Sequence, residues 1–508
     1  MSDGQDVAFT RGLIIDRALL DELIAHAASI GTERPALVRA DFSGATFVNV
    51  SSFDGITFAG GAAFEGTLFE QPLFMSNCSF EDDAYFSRAR FRSNATFHGV
   101  HFTHGTFERV LFELGADFSE CEFESLSLYG TRSRETLALP GVVVHGEAAI
   151  GPVFSTKSIR LDGSQFEGVA TIDVVARELT CMATTFNRAT LMRVRRALVV
   201  LDHAVFRQPS TLAATIGVFE RALADYDEGD LFDEAPLERL GLPQQPSLIS
   251  LNLVDAGFLS LSGVNLSACL FRGARNLDGL RIEGSRTFGR TPRGVRWVRA
   301  WPPVRWWTRR RVVADEVVWR AAFEPVDEKR ATRASDEARW QAPALLKLLS
   351  HRSFDFVSNT VAPDPASIAE IYRSLRKADE KAGNEPAAAD FYYGEMEMRR
   401  AAECPRSERV LLFLYWLVAG YGLRASRALT ALLVTVLVFA LGLYAWGFTE
   451  PTTLTTSVLY SAYSTVSLLR APERDLTTAG QFMDIALRLL GPLFFGLILL
   501  ALRGRVKR

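Results

Sequence analysis

Three histidines, His98, His101 and His104, are the residues whose type and spacing first suggest chemistry. Imidazole nitrogens bind zinc, but a metal site also needs ligands that converge and partners that orient them, neither of which a spacing of three supplies. The alternative is three solvated side chains. No nucleophile with a base, phosphate loop or dinucleotide fingerprint accompanies them. The sequence therefore predicts no catalytic, metal or cofactor site, and no enzyme.

A second spacing runs through the same stretch, because large apolar residues return every five or six positions. Neither a helix nor a strand has that period, so the pattern indicates a structural repeat. Leu128 continues the series. Its earlier members are all phenylalanines, Phe42, Phe47, Phe53, Phe58, Phe64, Phe69, Phe74, Phe80, Phe86, Phe91, Phe97, Phe102, Phe107, Phe112, Phe118 and Phe123.

A small residue often stands two positions before each large one. The clearest examples are Ala45, Ala62, Cys78, Ala84, Ala89, Ala95, Gly105, Ala116 and Cys121. This unit resembles the pentapeptide-repeat family, whose pattern is A-(D/N)-(L/F)-x-x, with the nearest matches at 116–118 (ADF) and 264–266 (VNL). The resemblance implies that four units form one square coil and that coils stack as a right-handed quadrilateral β-helix. Stacked coils need the same kind of residue once per turn to bury a continuous core.

The coil length has an independent signature further along the chain. The segments 161–172, 181–192 and 201–212 are alike and twenty residues apart, which is four units of five. We expect a coil over 41–285, interrupted by an acidic insert at 213–246, with a helical cap over 1–40. The predicted repeat core includes Phe91, Phe97, Phe102, Phe107, Phe112, Phe166, Phe186 and Phe206.

The cysteines and the net charge exclude several classes of protein. The five cysteines form no CxxC pair, and most occupy inward repeat positions, so we expect neither disulfides nor zinc. The net charge of −3 excludes a generally basic nucleic-acid binder. The first twenty residues lack the basic start of a secretion signal, which predicts that the front of the chain stays in the cytosol.

A basic, tryptophan-rich linker is predicted over 286–364. Its first part, 286–313, holds nine arginines, four tryptophans and no acidic residue. This composition favours anionic lipid headgroups, would also suit nucleic acid, and is equally compatible with tryptophans packed on the coil end. The membrane-interface candidates are Trp297, Trp301, Trp306, Trp307, Arg309, Arg310 and Arg311.

The segment 365–408 predicts two helices around the loop KAGNEP. Its apolar spacing looks like one tetratricopeptide-type helical pair, which implies a packing or partner-binding role. The carboxylates Glu370, Asp379, Glu395 and Glu397 are predicted to lie on a solvated face.

A membrane module is predicted over 409–508. Two apolar stretches, 427–448 and 481–502, are long enough to cross about 30 Å of hydrocarbon. The shorter apolar stretch 409–422 is predicted to lie in the interface. Basic residues precede the first span and follow the second, so the positive-inside rule predicts a multi-pass protein of the plasma membrane with both termini cytoplasmic.

Between the spans, 457–469 is apolar but too short to cross, which predicts a re-entrant segment. The order of a span, a short helix and a second span resembles that of two-span pore-loop channels. The pore-loop candidates are Thr465, Val466 and Ser467. A potassium filter aims backbone carbonyls with glycines, whereas Ser467 is followed here by two leucines and an arginine. The resemblance therefore implies a channel-like layout without potassium selectivity.

Asp484 and Arg488 lie four residues apart within the second span, on one helix face. Ionisable residues at membrane depth are functional candidates. The alternatives are an ion pair within the helix or a bridge across an oligomer.

The whole arrangement resembles actinobacterial-type membrane proteins in which pentapeptide repeats precede a helical hairpin, a YG-LR motif and a basic C-terminus. We predict a membrane-anchored cytosolic scaffold or sensor that binds the lipid bilayer, assembles as a homo-oligomer through its membrane module and contacts a cytosolic protein. The alternative comes from charge, since 41–130 holds thirteen acidic and four basic residues. An acidic rod could mimic DNA and bind a topoisomerase or another DNA-binding protein, whereas nucleic acid itself is not an expected partner.

Overall fold

The computed structural model describes residues 7–8, 13–30, 35–215, 219, 235–239, 244–284, 288–291, 294–297, 304–307, 309–323, 363–402, 405–467 and 475–506. The chain divides into two compact units, Met1–Pro363 and Asp364–Arg508. The first is a β-solenoid of about 11 turns, and the second is helical. The short repeats predicted from the sequence form the stacked coils of this solenoid.

Strands of successive coils pair in parallel, so each face of the solenoid is a ladder. One ladder consists of Ser51–Ser52, Leu73–Phe74, Ala95–Thr96, Ala116–Asp117, Leu137–Ala138, Ser158–Arg160, Glu178–Thr180, Leu198–Val200 and Ser247–Ser250. The other coil strands form a second, larger hydrogen-bonded set, in which several long strands bend from one face to the next. Its members are Val7–Ala8, Ile14–Ile15, Ala36–Leu37, Ala40–Asp41, Thr46–Phe47, Thr57–Phe58, Ala62–Ala63, Leu68–Phe69, Ser79–Tyr85, Arg90–Phe91, His101–Thr106, Leu111–Phe112, Glu122–Ser127, Arg132–Ser133, Val143–Val144, Ala148–Ser155, Gln165–Phe166, Ala170–Val175, Thr185–Phe186, Thr190–Arg195, Val205–Phe206, Ser210–Ala214, Leu259–Ser262 and Arg281–Glu283.

Coil length changes along the rod. Arg92 and Glu70, paired on adjacent coils, are 22 residues apart, and His104 and Ser125 are 21 apart. Further on, the partners Asp173 and Arg193 are 20 apart. Units of six residues among units of five produce the longer coils, and the twenty-residue period read from 161–212 is the register of Phe166, Phe186 and Phe206.

The aromatic rings stack along the axis. Phe58, Phe80, Phe102 and Phe123 lie one above the other with ring centroids 4.4 to 4.8 Å apart. Neighbouring columns meet edge to face, as Phe97 does with Phe107 at 5.5 Å. All eight residues proposed as repeat core are buried. Each stacked pair contributes about 0.5–1.5 kcal/mol beyond the apolar area that it buries.

One phenylalanine of the series, Phe74, does not belong to the core. Phe74 points outward and is 39% exposed, while Met75 is fully buried in its place. The intervals around it are therefore six and five residues, not five and six. Because both spacings occur throughout the series, composition alone could not fix which neighbour turns inward.

The small inward position has a second role when its side chain is polar. The Thr67 hydroxyl donates to the Phe42 carbonyl at 2.8 Å, Thr184 donates to Leu161 at 2.7 Å, and the Cys78 thiol donates to Phe53 at 2.8 Å. Each bond satisfies the buried hydroxyl or thiol, because the accepting carbonyl already receives a backbone N–H as well. Threonine, serine and cysteine therefore substitute for alanine without leaving a polar group unpaired.

Corners of the coil require a left-handed backbone. Gly55, Gly99 and Gly141 adopt φ of 74°, 63° and 68° at equivalent positions of alternate coils. Asn77 and Glu120 occupy the same corner in the coils between, with φ of 55° and 59°. Glycine reaches this region without the steric cost that a Cβ imposes, so the corner explains the recurrent glycines of the polar positions.

The solenoid starts before residue 41. Val7–Ala8 pairs with Ala40–Asp41, and Ile14–Ile15 pairs with Thr46–Phe47. Helix α1, Arg17–Ile30, therefore follows strands that already belong to the coil. The predicted cap region is partly coil.

The insert folds back on the outside of the coil. Val199 pairs with Leu248, so the chain leaves the coil after Ser210–Ala214 and returns at Ser247–Ser250. Helix α2, Ala235–Arg239, brings Leu237 into a cluster with Phe219, Phe154 and Val175. Residues 216–218, 220–234 and 240–243 of the insert lie outside the described residues.

A helix and a short sheet close the C-terminal part of the coil. Gly289–Arg290 pairs antiparallel with Arg311–Val312, and helix α3, Ala314–Phe323, follows. Val312, Ala314 and Val317 pack on Leu198 and Val200 of the coil. The α3 residue Asp315 accepts a hydrogen bond from the backbone N–H of Phe271 at 3.0 Å, which occupies a donor at the coil edge.

The second unit contains six helices among its described residues, α4 (Pro365–Lys381), α5 (Glu385–Ala401), α6 (Arg406–Ala419), α7 (Ala425–Gly442), α8 (Leu454–Val466) and α9 (Thr478–Val506). A π-helical turn, Leu443–Gly447, extends α7. The pair α4 and α5 forms a hairpin. Glu395, predicted to be solvated, is instead buried and paired with Arg373 at 3.1 Å and Arg376 at 3.3 Å, and Asp379 is buried too.

Candidate functional site in the C-terminal helices

The three histidines do not converge. His101 lies beside Glu122 at 3.5 Å, His104 hydrogen-bonds Ser125 at 2.8 Å, and the backbone carbonyl of His98 accepts from Asn77. Across the described residues, no group of three or more histidine, cysteine, aspartate or glutamate side chains is placed to hold a metal ion.

A histidine that the spacing argument ignored is better placed. His145 lies between Glu167 at 2.9 Å and Glu122 at 2.8 Å on neighbouring coils. Its hydrogen bonds to the carboxylates of Glu167 and then Glu122 raise the pKa of His145 to about 9. This outward row is a surface ion-pair ladder that carries positive charge on His145 at neutral pH.

The described cysteines are buried and free. Burial raises the pKa of Cys78 to about 11 and that of Cys121 to about 12, and it also raises the pKa of Cys181 and Cys269. These thiols stay protonated and pack as small apolar groups. Cys404 lies outside the described residues.

The basic, tryptophan-rich segment separates into parts with different surroundings. Trp297, Trp306 and Trp307 lie on an antiparallel hairpin, Gly294–Trp297 with Val304–Trp307, and Trp301 lies outside the described residues. Arg309 is exposed and Arg311 is half-buried. Arg310 is buried and binds Glu316 at 2.6 Å, and Glu316 also binds Arg320 at 2.8 Å. Arg310 is therefore closed off from a lipid surface, contrary to its choice as a membrane-interface residue, because it neutralises a buried carboxylate of α3.

The helical hairpin is locked onto the start of the first apolar helix. The Trp416 ring lies 4.7 Å from the guanidinium of Arg400 and 5.2 Å from that of Arg427. Its indole N–H donates to the Tyr393 hydroxyl at 3.1 Å. Tyr421, in the YG-LR motif, packs between Tyr393 and Tyr415. Hairpin, α6 and α7 thus share one aromatic junction.

Two helices are long and apolar enough to cross a membrane, Ala425–Gly447 with 23 residues and Thr478–Ala501 with 24. Helix α6, which begins at Arg406 rather than at the predicted residue 409, also carries apolar side chains on its surface. Large exposed apolar residues of these helices include Leu411, Leu414, Leu433, Leu437, Val438, Phe482, Leu489 and Leu499.

Helix α8 shows the reverse of ordinary amphipathicity. Its polar residues Ser457, Ser461 and Ser464 are fully buried, while Leu459 is 67% exposed and Val466 is 72% exposed. In water, burial of serine and exposure of leucine is the unfavourable arrangement. In hydrocarbon it is the favourable one, because apolar side chains meet lipid and polar side chains meet one another.

The two ends of α8 lie at different levels of the helical pair. Phe448 and Leu476 form an antiparallel bridge, so the chain leaves α7 and enters α9 at the same end. At the other end of α8, the Thr465 carbonyl oxygen lies so close to Gly491 that a Cβ at this position would clash with it. Gly491 is 13 residues into α9, or about 20 Å along a helix rising 1.5 Å per residue. Residues 468 and 469 of the proposed re-entrant segment lie outside the described residues.

The three pore-loop candidates sit at the end of α8. The Thr465 hydroxyl donates to the Ser461 carbonyl at 2.7 Å, Val466 is exposed, and the Ser467 N–H closes the helix on Tyr463 at 2.9 Å. Their backbone finishes a helix and makes no extended row of carbonyls like that of a potassium filter.

Asp484 and Arg488 form an ion pair within α9, with 2.9 Å between Arg488 Nε and Asp484 Oδ2. Both side chains are largely buried. The Tyr460 hydroxyl lies beside Asp484 and Ser464 without a hydrogen bond of good geometry. The pair therefore belongs to a polar cluster between α8 and α9.

Fold and helices together define a β-solenoid protein with two apolar C-terminal helices. Residues 64–111 match the model of pentapeptide repeats, with nine copies. The matched residues lie within the solenoid, so this segment of the β-solenoid consists of pentapeptide repeats. No curated protein and no solved structure matches it.

Sequence reasoning missed the residues that organise the site. Tyr460, Ser461 and Ser464 are not among the predicted site residues, although serines at 457, 461 and 464 follow helical spacing in an apolar segment. In the sequence, Trp416 is one residue of an apolar stretch and carries no separate signal. Neither its arginine neighbours nor its tyrosine partner is adjacent in sequence, so no local pattern indicated them.

Proposed function

We propose that the chain is a membrane-anchored cytosolic scaffold or sensor in which the pentapeptide-repeat solenoid presents binding faces and the C-terminal helices hold it in the bilayer. One observation carries the proposal, namely that α8 buries serines and exposes leucine and valine. A segment of a water-soluble domain would lose free energy by this arrangement, whereas a segment surrounded by lipid gains it.

For the solenoid itself we propose the right-handed quadrilateral form. Its support is the coil length of 20 to 22 residues, which equals four units of five or six, and the recurrence of a left-handed corner residue once per coil. Flat faces of this kind give a rigid rod on which partners can dock side by side.

For the membrane module we propose two spans with both termini cytoplasmic and α8 as a re-entrant helix. Its support is the shared end of α7 and α9 at Phe448 and Leu476 and the depth that Thr465 reaches beside Gly491. Arginines before the first span and after the second follow the positive-inside rule.

The membrane proposal is tested by fractionation and by labelling. Full-length protein should stay with the membrane pellet after extraction with alkaline carbonate. In a Cys404→Ala background, Glu450→Cys should react with an impermeant maleimide on intact cells, and Ser407→Cys should react only after permeabilisation. The remaining native thiols are buried and stay silent. Release of the protein by carbonate would refute anchoring, and labelling of Ser407→Cys outside would reverse the orientation.

We further propose that the module assembles as a homo-oligomer with a channel-like layout. Its support is the large apolar surface left on α7 and α9, together with α8 placed between the spans. Mass photometry in nanodiscs should give more than one chain per particle. An oligomer that conducts no ion across vesicle membranes would refute the channel function and leave the scaffold function standing.

The alternative function is an acidic binding module that mimics DNA, supported by the acidic excess at 41–130. Inhibition of gyrase supercoiling by stoichiometric full-length protein would favour it. Addition of Glu→Gln changes on the coil should then abolish the inhibition, because the mimicry is electrostatic. Absence of inhibition removes this function and leaves the membrane scaffold intact.

A further inference from the structure

The polar side chains Tyr460, Ser464, Asp484 and Arg488 lie close together between α8 and α9, and the buried Ser461 follows Tyr460 on α8. We call these five residues the polar cluster. The contacts between α8 and α9 place these residues at similar heights along the two helix axes. Tyr460 packs in one cluster with Leu487, and Thr465 contacts Gly491. Ser461 and Ser464 lie between Tyr460 and Thr465 on α8, and Ser464 lies close to Tyr460 beside the ion pair.

The polar cluster contains buried atoms that have no hydrogen-bond partner. They are the Tyr460, Ser461 and Ser464 hydroxyls, Asp484 Oδ1 and Arg488 Nη2, together with Arg488 Nε, which is ion-paired with Asp484 Oδ2 but lacks hydrogen-bond geometry. The two serines could have bonded to their own helix, as their neighbours do. The Ser457 hydroxyl donates to the Thr453 carbonyl and that of Thr465 donates to the Ser461 carbonyl. Ser461 and Ser464 keep their donors available for another group.

Unpartnered buried polar atoms are costly, and their concentration at one place indicates a ligand that satisfies them. The numbers of unpartnered donors and acceptors indicate the kind of ligand. Three hydroxyls and one guanidinium nitrogen can donate, while the one acceptor without donor capacity is Asp484 Oδ1. Arg488 is a fixed positive charge that repels metal cations, and its partner Asp484 offsets the charge of the pair without occupying Nη2.

We propose that the polar cluster is a binding site for a small monovalent anion of the size of chloride. The anion lies on Arg488 Nη2 and accepts from the Ser461, Ser464 and Tyr460 hydroxyls. Asp484 opposes it electrostatically, so the carboxylate limits the affinity while it orients Arg488. This site goes beyond the anchoring function and does not require that any ion crosses the membrane.

The anion site makes opposite predictions for the two charged residues. Asp484→Asn removes a negative charge beside the anion and should tighten chloride binding about tenfold, since a unit charge in partly desolvated surroundings outweighs thermal energy. Arg488→Gln should abolish binding. The double variant Ser461→Ala/Ser464→Ala should weaken binding about tenfold through two lost donors.

The experiment titrates chloride into purified full-length protein in detergent and records the ³⁵Cl NMR linewidth, with bromide as competitor and gluconate as the large anion that should not compete. Asp475→Asn is the matched control, because this acidic residue is exposed at the same end of the module. It should leave binding unchanged. Circular dichroism and gel filtration show whether each variant folds.

Two results would overturn the anion site. One is the absence of chloride broadening above that of empty micelles. The other is the reverse pattern, in which Asp484→Asn loses ion binding and the wild type binds sodium instead. If Arg488→Gln fails to fold, the Asp484→Asn and double-serine variants still decide. Carbonate extraction tests anchoring separately, so a protein that stays in the membrane and binds no chloride refutes this site alone.

Discussion

The solenoid and the C-terminal helices place polar and apolar side chains in opposite ways. In the solenoid, phenylalanines fill the axis and ion pairs such as Arg92 with Glu70 lie outside. In the helices around α8, serines and the Asp484–Arg488 pair lie inside and leucines lie outside. The two regions of this chain therefore bury opposite kinds of side chain.

The difference teaches that burial is set by the surroundings of each region. Water rewards removal of phenylalanine surface at about 25 cal/mol per Å². In hydrocarbon, burial of leucine gives no such stabilisation, whereas exposure of a polar group to lipid is unfavourable. The inverted pattern of α8 therefore says more about membrane embedding than the length of the two spans does, because a long apolar helix is also found in the core of a soluble protein.

The largest expected effect tests the aromatic axis. Phe97→Ala should lower the free energy of unfolding of the solenoid by about 3–5 kcal/mol, because it removes a ring that stacks on Phe118 at 4.7 Å and leaves a cavity. Phe74→Ala, the matched control, should cost about 1 kcal/mol or less, because that ring points outward. Urea unfolding followed by circular dichroism measures both. Equal losses would contradict the inward register.

The second effect tests the inverted surface. Leu459→Arg should lower the fraction of protein that resists carbonate extraction, since an arginine facing lipid costs about 2.5–3.5 kcal/mol. Val169→Arg is the control on the solenoid, where a similarly exposed apolar residue faces water, and it should change neither membrane retention nor stability. If the two variants behave alike, α8 is not in lipid.

A third effect comes from the buried carboxylate that closes the coil. Burial raises the pKa of Asp315 to about 6, although the Phe271 N–H and Arg272 favour its charged form. Because the pKa of Asp315 in the folded protein is above its ordinary value, charging this buried carboxylate destabilises the fold. That destabilisation is absent at acidic pH and complete above about pH 6. The free energy of unfolding should fall by about 2 kcal/mol between pH 4 and 7.5 through this group.

Asp315→Asn checks that assignment. The amide oxygen can still accept from Phe271, so the variant should be more stable than the wild type at pH 7.5 and should lose this part of the pH dependence. Thermal melts of the solenoid signal at the two pH values provide the comparison. An unchanged pH slope in the variant would assign the dependence to another group.

The smallest effect concerns the surface ladder. The pKa of His145 is raised to about 9 by Glu167 and Glu122, so its stabilisation is present below pH 6.5 and is lost as the pH rises through 9. The side chain is about one-third exposed, and solvent screening limits the effect to about 1 kcal/mol or less. His145→Gln should flatten stability between pH 7 and 10, whereas His104→Gln should not. NMR titration of the imidazole would locate the pKa directly.

The parts of the fold that could be predicted were those with a local signal. A five-to-six residue return of phenylalanine predicts a coil because each turn must supply the next layer of the core. The match of residues 64–111 to pentapeptide repeats and the solenoid confirm that prediction. The position of Phe74 could not be predicted, since five and six residues are equally allowed and only the pairing of Leu73 with Ala95 fixes the register.

The candidate site was predictable only where its residues are close in sequence. The spacing of Asp484 and Arg488 allowed an ion pair within the helix, and the structure contains it. Their neighbours Tyr460 and Ser464 come from another helix, and the buried Arg310 neutralises a carboxylate across a turn. Long-range contacts of this kind depend on packing, which a single sequence does not encode in any local pattern.

By itself, the sequence determined the repeating coil, the two apolar helices and the basic residues at their ends, because each is a regular pattern read directly as periodicity or composition. Only the tertiary structure decided which side chains point inward at an irregular step, that Trp416 joins the hairpin to the first apolar helix, and that serines meet an ion pair between α8 and α9. The physical reason is that hydrophobic periodicity is a property of neighbours in the chain, while burial, pairing and the cost of an unpartnered polar atom are properties of neighbours in space.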